Sequence, residues 1–472
     1  MYRLIFTALL LTSCTSIKDA SSPYHLAPIN DHTSWTAPEK ILLGLSKKEE
    51  PLPAPSIDEA HEHSLAEVLD LGLFYNTKTK QTWALARSKA ALYGQSLQND
   101  FILSQFDSTW QRSKYPQIST GENSIVFSTL YQNELNFSYV LLDFGKTRNT
   151  SLQALYALYE ADWIHNNEIQ KIIQTLMDDY FNVVYQKQLL SSDKANVEDA
   201  LAILKEAEEK LKVGTADISD VLQARSNYLD QKLSLISQEQ TLYSAFCTLT
   251  NDIGIPSTFK FKLQEFPDDF EEYKAREFSE LLNIAKRSRP DYLAALSDVE
   301  SKEYKVKSMQ SNYLPTVDGS FSIGNTVGNM GLHDNYDFAA EISLNIPLFQ
   351  GFFQQNQVRQ ARSDLAESKA LLLELELLMT KQIDLYQKDI EFALSSLHAA
   401  ADFLQAAIED FDVSLSKYRQ GTNTIIDVIT AQTHIADASS KVILSKRDYF
   451  ISLANLAYAM GSLSINPKEL AQ

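Results

Sequence analysis

The sequence predicts a mainly α fold with a small β part, built from one long-helix and β-hairpin unit written twice. Three observations carry this. First, the phrase V-G-T-A-D-I-S-D-V-L-Q-A at 213–224 returns as Q-G-T-N-T-I-I-D-V-I-T-A at 420–431. At a constant offset of 207, six pairs are identical: Gly214/Gly421, Thr215/Thr422, Ile218/Ile425, Asp220/Asp427, Val221/Val428 and Ala224/Ala431. Self-similarity at a fixed spacing is the mark of a duplicated architecture. Second, the helix breakers keep step. Gly254 maps onto Gly461, Gly145 falls within one residue of Gly351, and the stretches 146–213 and 352–420 hold neither Gly nor Pro. Third, Gly (14) and Pro (13) are scarce in 472 residues, against usual frequencies of about 7% and 5%, so long uninterrupted helices are expected.

The totals exclude some classes. A formal charge of −19 argues against a nucleic-acid partner, because phosphate binding needs clustered Lys and Arg. The acidity instead solvates helical faces. Cys14 and Cys247 cannot form a disulfide framework. No nucleophile motif, phosphate loop or metal-ligand spacing is present, so no catalytic residue and no metal site is expected.

In chain order, Arg3 and a short apolar run are too short to span a bilayer and predict a signal peptide over 1–13. It ends in Leu11-Thr12-Ser13-Cys14, which resembles the bacterial lipoprotein box, where the cysteine becomes the lipid-modified N-terminus. Thr15 in place of Asp favours outer-membrane sorting by the same analogy. Residues 14–57, with six prolines from Pro23 to Pro55, predict a linker or strap. His61-Glu62-His63 invites a metal reading. If 58–75 is helical, however, side chains at i and i+2 diverge, and surface histidines are the expectation.

The first repeat is placed at 58–254. After a helix at about 77–100, Leu135, Phe137, Tyr139 and Leu141 alternate with Glu134, Asn136, Ser138 and Val140, which predicts a strand at 134–141. A weaker partner lies at 103–112, with 115–131 as the connection, so the hairpin occupies about 103–142. A long helix is expected over 145–213, with a packing stripe through Ile169, Ile172, Ile173 and Leu176. A helix at 217–253 returns, with Cys247 as a buried small hydrophobe. Residues 255–275 read as an acidic linker. The second repeat, 276–461, has a helix at 276–287 and another from Arg289-Pro290-Asp291, where Pro suits a first turn. Strands follow within 315–347 around a glycine-bearing loop at 324–335, then a long helix at 352–420. Residues 462–472 form a tail.

Each strand is expected to be about ten residues long, the length of a tilted transmembrane strand. Four strands cannot close on themselves, and an open sheet edge in lipid is not viable. Three copies would supply twelve strands, with the long helices continuing as a hollow cylinder.

Over roughly residues 58–461 the chain resembles the TolC-like outer-membrane efflux protein family. The resemblance rests on the two glycine phrases and on Tyr313-Leu314-Pro315 before a strand. Tyr139-Val140-Leu141-Leu142-Asp143-Phe144-Gly145 and Leu344-Asn345-Ile346-Pro347-Leu348-Phe349 after the second strand of each pair complete it. It implies an outer-membrane factor lipoprotein of a Gram-negative cell: a homotrimer with a twelve-stranded transmembrane β-barrel and a trimeric α-barrel tunnel in the periplasm. It implies the outer-membrane channel of a tripartite efflux or export system, with a periplasmic adaptor (membrane fusion) protein and an inner-membrane transporter as partners. No cofactor is implied beyond a covalent lipid on Cys14.

The same resemblance assigns residues. Gly214, Thr215, Gly421 and Thr422 would form the periplasmic tip where adaptor hairpins dock. Asp220 and Tyr418 match residues that link the closed tip, and Asp427 matches an acidic position lining the constriction. A ring of three such carboxylates favours cations and raises their pKa by mutual repulsion. Asn423 and Thr430 depart from the family's charged residues, so a more weakly held gate is expected. Alternatively, Asp220 and Asp427 accept backbone hydrogen bonds near helix starts. The rival to a channel is a pore-less periplasmic coiled-coil scaffold lipoprotein, which would need no detergent once its lipid is removed.

Overall fold

A computed structural model describes residues 61–119, 122–267, 273–328 and 335–463. The expected signal peptide, Cys14, the strap at 14–57 and most of the tail lie outside the described residues.

The first repeat begins with β1 (Glu62–His63), α1 (Leu65–Tyr75) and α2 (Thr77–Ser96), closed by a 3-10 turn at Leu97–Asp100. Strands β2 (Leu103–Ser119) and β3 (Glu122–Leu142) lead to α3 (Lys146–Lys212) and α4 (Ile218–Ile253). After β4 (Lys262–Leu263) the order recurs as α5 (Phe278–Ser288), α6 (Pro290–Ser311), β5 (Thr316–Gly328), β6 (Asn335–Asn345), α7 (Phe353–Arg419) and α8 (Ile425–Ala459).

The two long helices are each 67 residues and begin and end 207 positions apart. At 1.5 Å per residue each spans about 100 Å. Their starts explain the one-residue slip between Gly145 and Gly351. Phe144 and Gly145 both take positive φ (52° and 87°), as do Gly351 and Phe352 (60° and 64°). The left-handed pair is thus retained while its glycine changes place. Glycine carries such a backbone at little cost, and a phenylalanine there is strained.

Each long helix packs on different partners at its two ends. Toward the strands the helices lie in the order α2, α3, α6, α7, and at the far end in the order α4, α3, α8, α7. The sheet repeats that sequence as β2-β3-β5-β6, all antiparallel. One edge of the protomer is therefore β2, α2 and α4, and the other is β6 and α7.

The waist is the largest core. Phe181, Phe266 and Phe450 stack mutually with centroids 5.3–5.9 Å apart, over Leu176, Val184, Leu249 and Ile253. Gly254 and Gly461 end α4 and α8 here in left-handed geometry, and a Cβ at either would meet backbone, Tyr75 O at 2.8 Å and Arg289 N at 2.6 Å. Arg289 itself is buried. Its guanidinium donates to both oxygens of Asp291 (2.6 and 3.0 Å), to Gln382 Oε1 and to the Ala459 carbonyl.

Several expectations are corrected. Residues 61–64 are not helical: β1 pairs in parallel with β4, and α1 starts only after Ser64, held by a Ser64/Glu67 capping box. The linker at 255–275 contributes β4 and buries Phe261, Leu263 and Phe266, so it is part of the waist core. Cys247 is only half-buried. The described residues of the connection, 115–119 and 122–131, are strand: β2 has 17 residues and β3 has 21. Within the protomer β2 is an edge strand, where Pro116 breaks no ladder bond on the outer side. Gly324 and Gly328 likewise belong to β5, and a Cβ at Gly324 would lie 2.5 Å from Asn133 O on the neighbouring strand.

Candidate functional site: the tip turns and the two-faced sheet

At the end remote from the strands, α3 and α7 are both terminated by the same device. Gly214 and Gly421 adopt φ of 79° and 77° with open space where a Cβ would project. The N–H of Thr215 donates to Lys210 O (2.9 Å) and that of Gly214 to Leu211 O (3.1 Å). Thr422 to Lys417 O (3.0 Å) and Gly421 to Tyr418 O (3.0 Å) repeat the pattern. These are paired Schellman closures, which satisfy the last carbonyls of a helix and favour glycine at the left-handed position. Both threonine hydroxyls add a bond to the same carbonyls, at 3.2 and 3.0 Å. The four residues expected at the tip are therefore together in two matching turns, exposed.

The next helices start differently. Asp217 caps α4 by accepting from Ile218 N (2.6 Å). In α8, Thr424 and Asp427 form a full capping box, the Asp427 carboxylate accepting from Thr424 N (2.9 Å) and Oγ1 (2.8 Å). Those donors, the hydroxyl first and then the backbone N–H, hold the Asp427 carboxyl below its ordinary range. Within one protomer this carboxylate has the cap geometry anticipated as the alternative to a constriction role.

Tyr418 is buried in the tip core with Ile203, Leu204, Val221, Ile425 and Val428. Burial first, then the negative charges of Asp220 and Glu206, push its hydroxyl pKa up. Its Oη meets no hydrogen-bond partner among the described residues, so Asp220 and Tyr418 are neighbours without a bond between them. The links that do cross from α3 to α7 are others. Lys210 Nζ lies 3.7 Å from the Tyr418 ring centroid and donates to the Tyr418 carbonyl, a cation over the negative face of an aromatic. Glu206 accepts from Arg419 Nε at 3.2 Å. Slightly inward, buried Gln432 of α8 donates to Asn196 O of α3 (3.0 Å) and accepts from Asn227 of α4 (2.9 Å). Sequence reasoning missed Lys210, Glu206, Arg419 and Gln432. Only the alignment of the two repeats in space joins residues more than 200 positions apart.

The sheet carries two unlike faces. Phe106, Leu135, Ile323 and Phe338 stand in one cross-strand row, and Phe137, Phe321 and Ala340 in another on the same side. On the opposite side Asp107, Glu134 and Asp337 share a row with Gly324, and Ser320 stands opposite Glu341. Aromatic and aliphatic residues on one face with carboxylates on the other suit a wall between lipid and water.

A family model described as "Outer membrane efflux protein" matches residues 107–254 and 281–462. Among curated relatives, the outer membrane protein TolC of Salmonella enteritidis is 25% identical over 344 residues, 70% of this chain and 69% of that protein. Among solved structures, the outer-membrane channel OprN superposes with a TM-score of 0.77 at 17% identity, covering 86% of this chain and 94% of that one. The CmeC outer membrane channel of Campylobacter jejuni gives 0.74 at 18% identity, covering 93% and 94%. With both repeats matched, the chain belongs to the outer membrane efflux protein family.

Proposed function

We propose that three copies of this chain form the outer-membrane channel of a tripartite efflux or export system. The β-strands line the membrane passage and the helices extend it as a periplasmic duct. One observation carries the reading: each free edge of the protomer carries a strand with an unpaired side and a helix with an exposed apolar row. β2 and β6 are each hydrogen-bonded on one side only within the protomer. The helices on the same two edges expose apolar residues every seven positions, Leu222, Leu229, Ile236 and Tyr243 on α4 and Leu371, Leu378, Leu385 and Phe392 on α7. A seven-residue repeat is the seam of helices that supercoil around one another. Joining the β2/α4 edge of one copy to the β6/α7 edge of the next is a heterologous contact, which gives a ring when its rotation closes. Three copies bring four strands each to a twelve-stranded barrel and remove every open sheet edge from lipid.

In this arrangement the paired glycine turns form the rim that meets a periplasmic adaptor, through which an inner-membrane transporter delivers cargo. Lys210, Glu206, Arg419 and Gln432 bind the two helical hairpins of one protomer together at that rim. A covalent lipid on Cys14 supplies a second membrane attachment. The chemistry of the site is conduction and docking, with no bond made or broken.

Light scattering of the detergent-extracted protein, with the detergent contribution subtracted, tests the assembly. The expected result is the mass of three chains and aggregation when detergent is removed. A monomer that stays in solution without detergent after removal of the lipidated terminus is the scaffold's behaviour and overturns the channel.

A further inference from the structure

We propose that His61, His63 and Glu67 form a binding site for a divalent transition cation of the zinc class, fastening β1 to the first turn of α1. His61 precedes β1, His63 lies in it, and Glu67 is at the third position of α1. Because β1 is extended and the chain turns at Ser64, the two imidazoles converge, their ring centroids 4.9 Å apart and nearly perpendicular. The three donor atoms all lie within 4.8 Å of one another. His61 Nε2 is 3.2 Å from Glu67 Oε1, and His63 Nδ1 is 3.7 Å from Glu67 Oε2.

Those distances match the chemistry. Metal bonds of about 2.0–2.2 Å to imidazole nitrogen and carboxylate oxygen set neighbouring donors of a tetrahedral ion about 3.3–3.5 Å apart. The His61 Nε2–Glu67 Oε1 separation falls close to that spacing, and all three donors already lie within 4.8 Å. Drawing them together needs a swing of the His61 side chain, which is half exposed.

Two of the three ligands are already fixed. His63 is 9% exposed, its backbone is paired with β4 (Gln264 N to His63 O, 3.1 Å), and its ring abuts Phe261 edge-on at 5.5 Å. Glu67 Oε2 accepts from Ser64 N at 2.8 Å in the capping box, which turns Oε1 toward His61. The open side leaves a position for water. Two imidazoles, one carboxylate and water form a borderline donor set that suits zinc, and also nickel or copper, over the hard ions calcium and magnesium.

The site joins three parts of the waist: β1, the first turn of α1 and, through the β1–β4 ladder, the segment before the second repeat. A bound cation would hold these together, and binding to the folded state alone raises stability by mass action.

The test uses the full-length protein in detergent, stripped with a chelator and titrated with Zn2+ against a chromophoric competitor. Thermal midpoints are recorded with and without Zn2+. The expected result is one ion per chain with a Kd tighter than about 10 μM. His61→Ala, an exposed change, should weaken binding by about 100-fold or more and abolish the zinc-dependent rise in midpoint. Glu67→Gln, whose amide oxygen keeps the capping box, should also weaken binding. A Kd weaker than about 10 μM for the parent chain, or binding that is unchanged in His61→Ala, overturns the site.

Discussion

The turn at 213–217 and the turn at 420–424 share a backbone and differ in what surrounds it. Both close by the same two hydrogen bonds around a left-handed glycine, with a threonine hydroxyl reinforcing the second. The position that is Leu211 before the first turn is Tyr418 before the second, at the offset of 207. Lys210 and Lys417 are likewise equivalent, yet Lys210 crosses to the Tyr418 ring and carbonyl. Duplication has thus preserved what the backbone needs, while the side chains that join the two hairpins have diverged. The repeats specify the tube. Their differences specify how its end is held.

The waist shows the same division and offers the largest effect with which to break it. Asn76, between α1 and α2, donates one hydrogen bond to Asp252 O (2.7 Å) and caps α2. Arg289, between α5 and α6, is a buried cation that donates four hydrogen bonds to three residues. Arg289→Ala leaves Asp291 without its countercharge and is expected to cost about 3–5 kcal/mol. Asn76→Ala removes a cap and one bond and should cost about 1–2 kcal/mol. Denaturant midpoints of the two variants check the order. Equal losses would mean that the two junctions are equivalent after all.

Glycine substitutions sharpen the contrast between tip and waist. At Gly214 and Gly421 a methyl group meets open space, so alanine meets only the left-handed penalty of about 1–2 kcal/mol. At Gly254 and Gly461 it also strikes backbone below 3 Å, so the waist variants should lose more in thermal midpoint than the tip variants.

The largest carboxyl shifts belong to the waist. Burial pushes the Asp178 carboxyl up to about 6. Burial first, then a hydrogen bond and repulsion from Asp252, raise that of Asp179. A carboxyl raised in the folded state is protonated there while the unfolded chain is ionised, so stability falls as pH climbs from the unfolded value through the folded one. Asp179→Asn is therefore expected to raise the thermal midpoint at pH 8 and to change it little near pH 4. A uniform shift at both would contradict the linkage. The smallest effect is expected at the tip. Thr424→Ala removes the second turn's capping box for about 1 kcal/mol and lets the Asp427 carboxyl rise toward its ordinary value, which a titration by carbonyl NMR would follow.

Much of this was legible in the chain. Glycines with positive φ leave a fixed mark because other residues resist that geometry, so Gly214, Gly254, Gly421 and Gly461 placed the helix ends correctly. Strand alternation was readable at 134–141, where one face is apolar. It failed over 115–131, where the adjacent Ser128 and Thr129 put polar residues on both faces, although the ladder from Leu103 to Ser119 is unbroken. A sheet that continues beyond a hydrocarbon layer no longer needs an apolar face, so periodicity loses its cause. The capping box of Ser64 and Glu67 is local and readable, but apolar periodicity does not mark the extended residues before it. A helix through His61 and His63 would part the rings that the extended chain brings together. The Lys210–Tyr418 and Glu206–Arg419 links were out of reach because each joins one repeat to the other.

Single-channel conductance in planar bilayers tests whether the chain forms a duct whose end is held by those links. Purified trimers should give discrete steps of small conductance, and Lys210→Met combined with Glu206→Gln should enlarge the steps several-fold at the same mass in detergent. Steps of unchanged size would place the constriction elsewhere, and trimers that insert without conducting would contradict the duct itself.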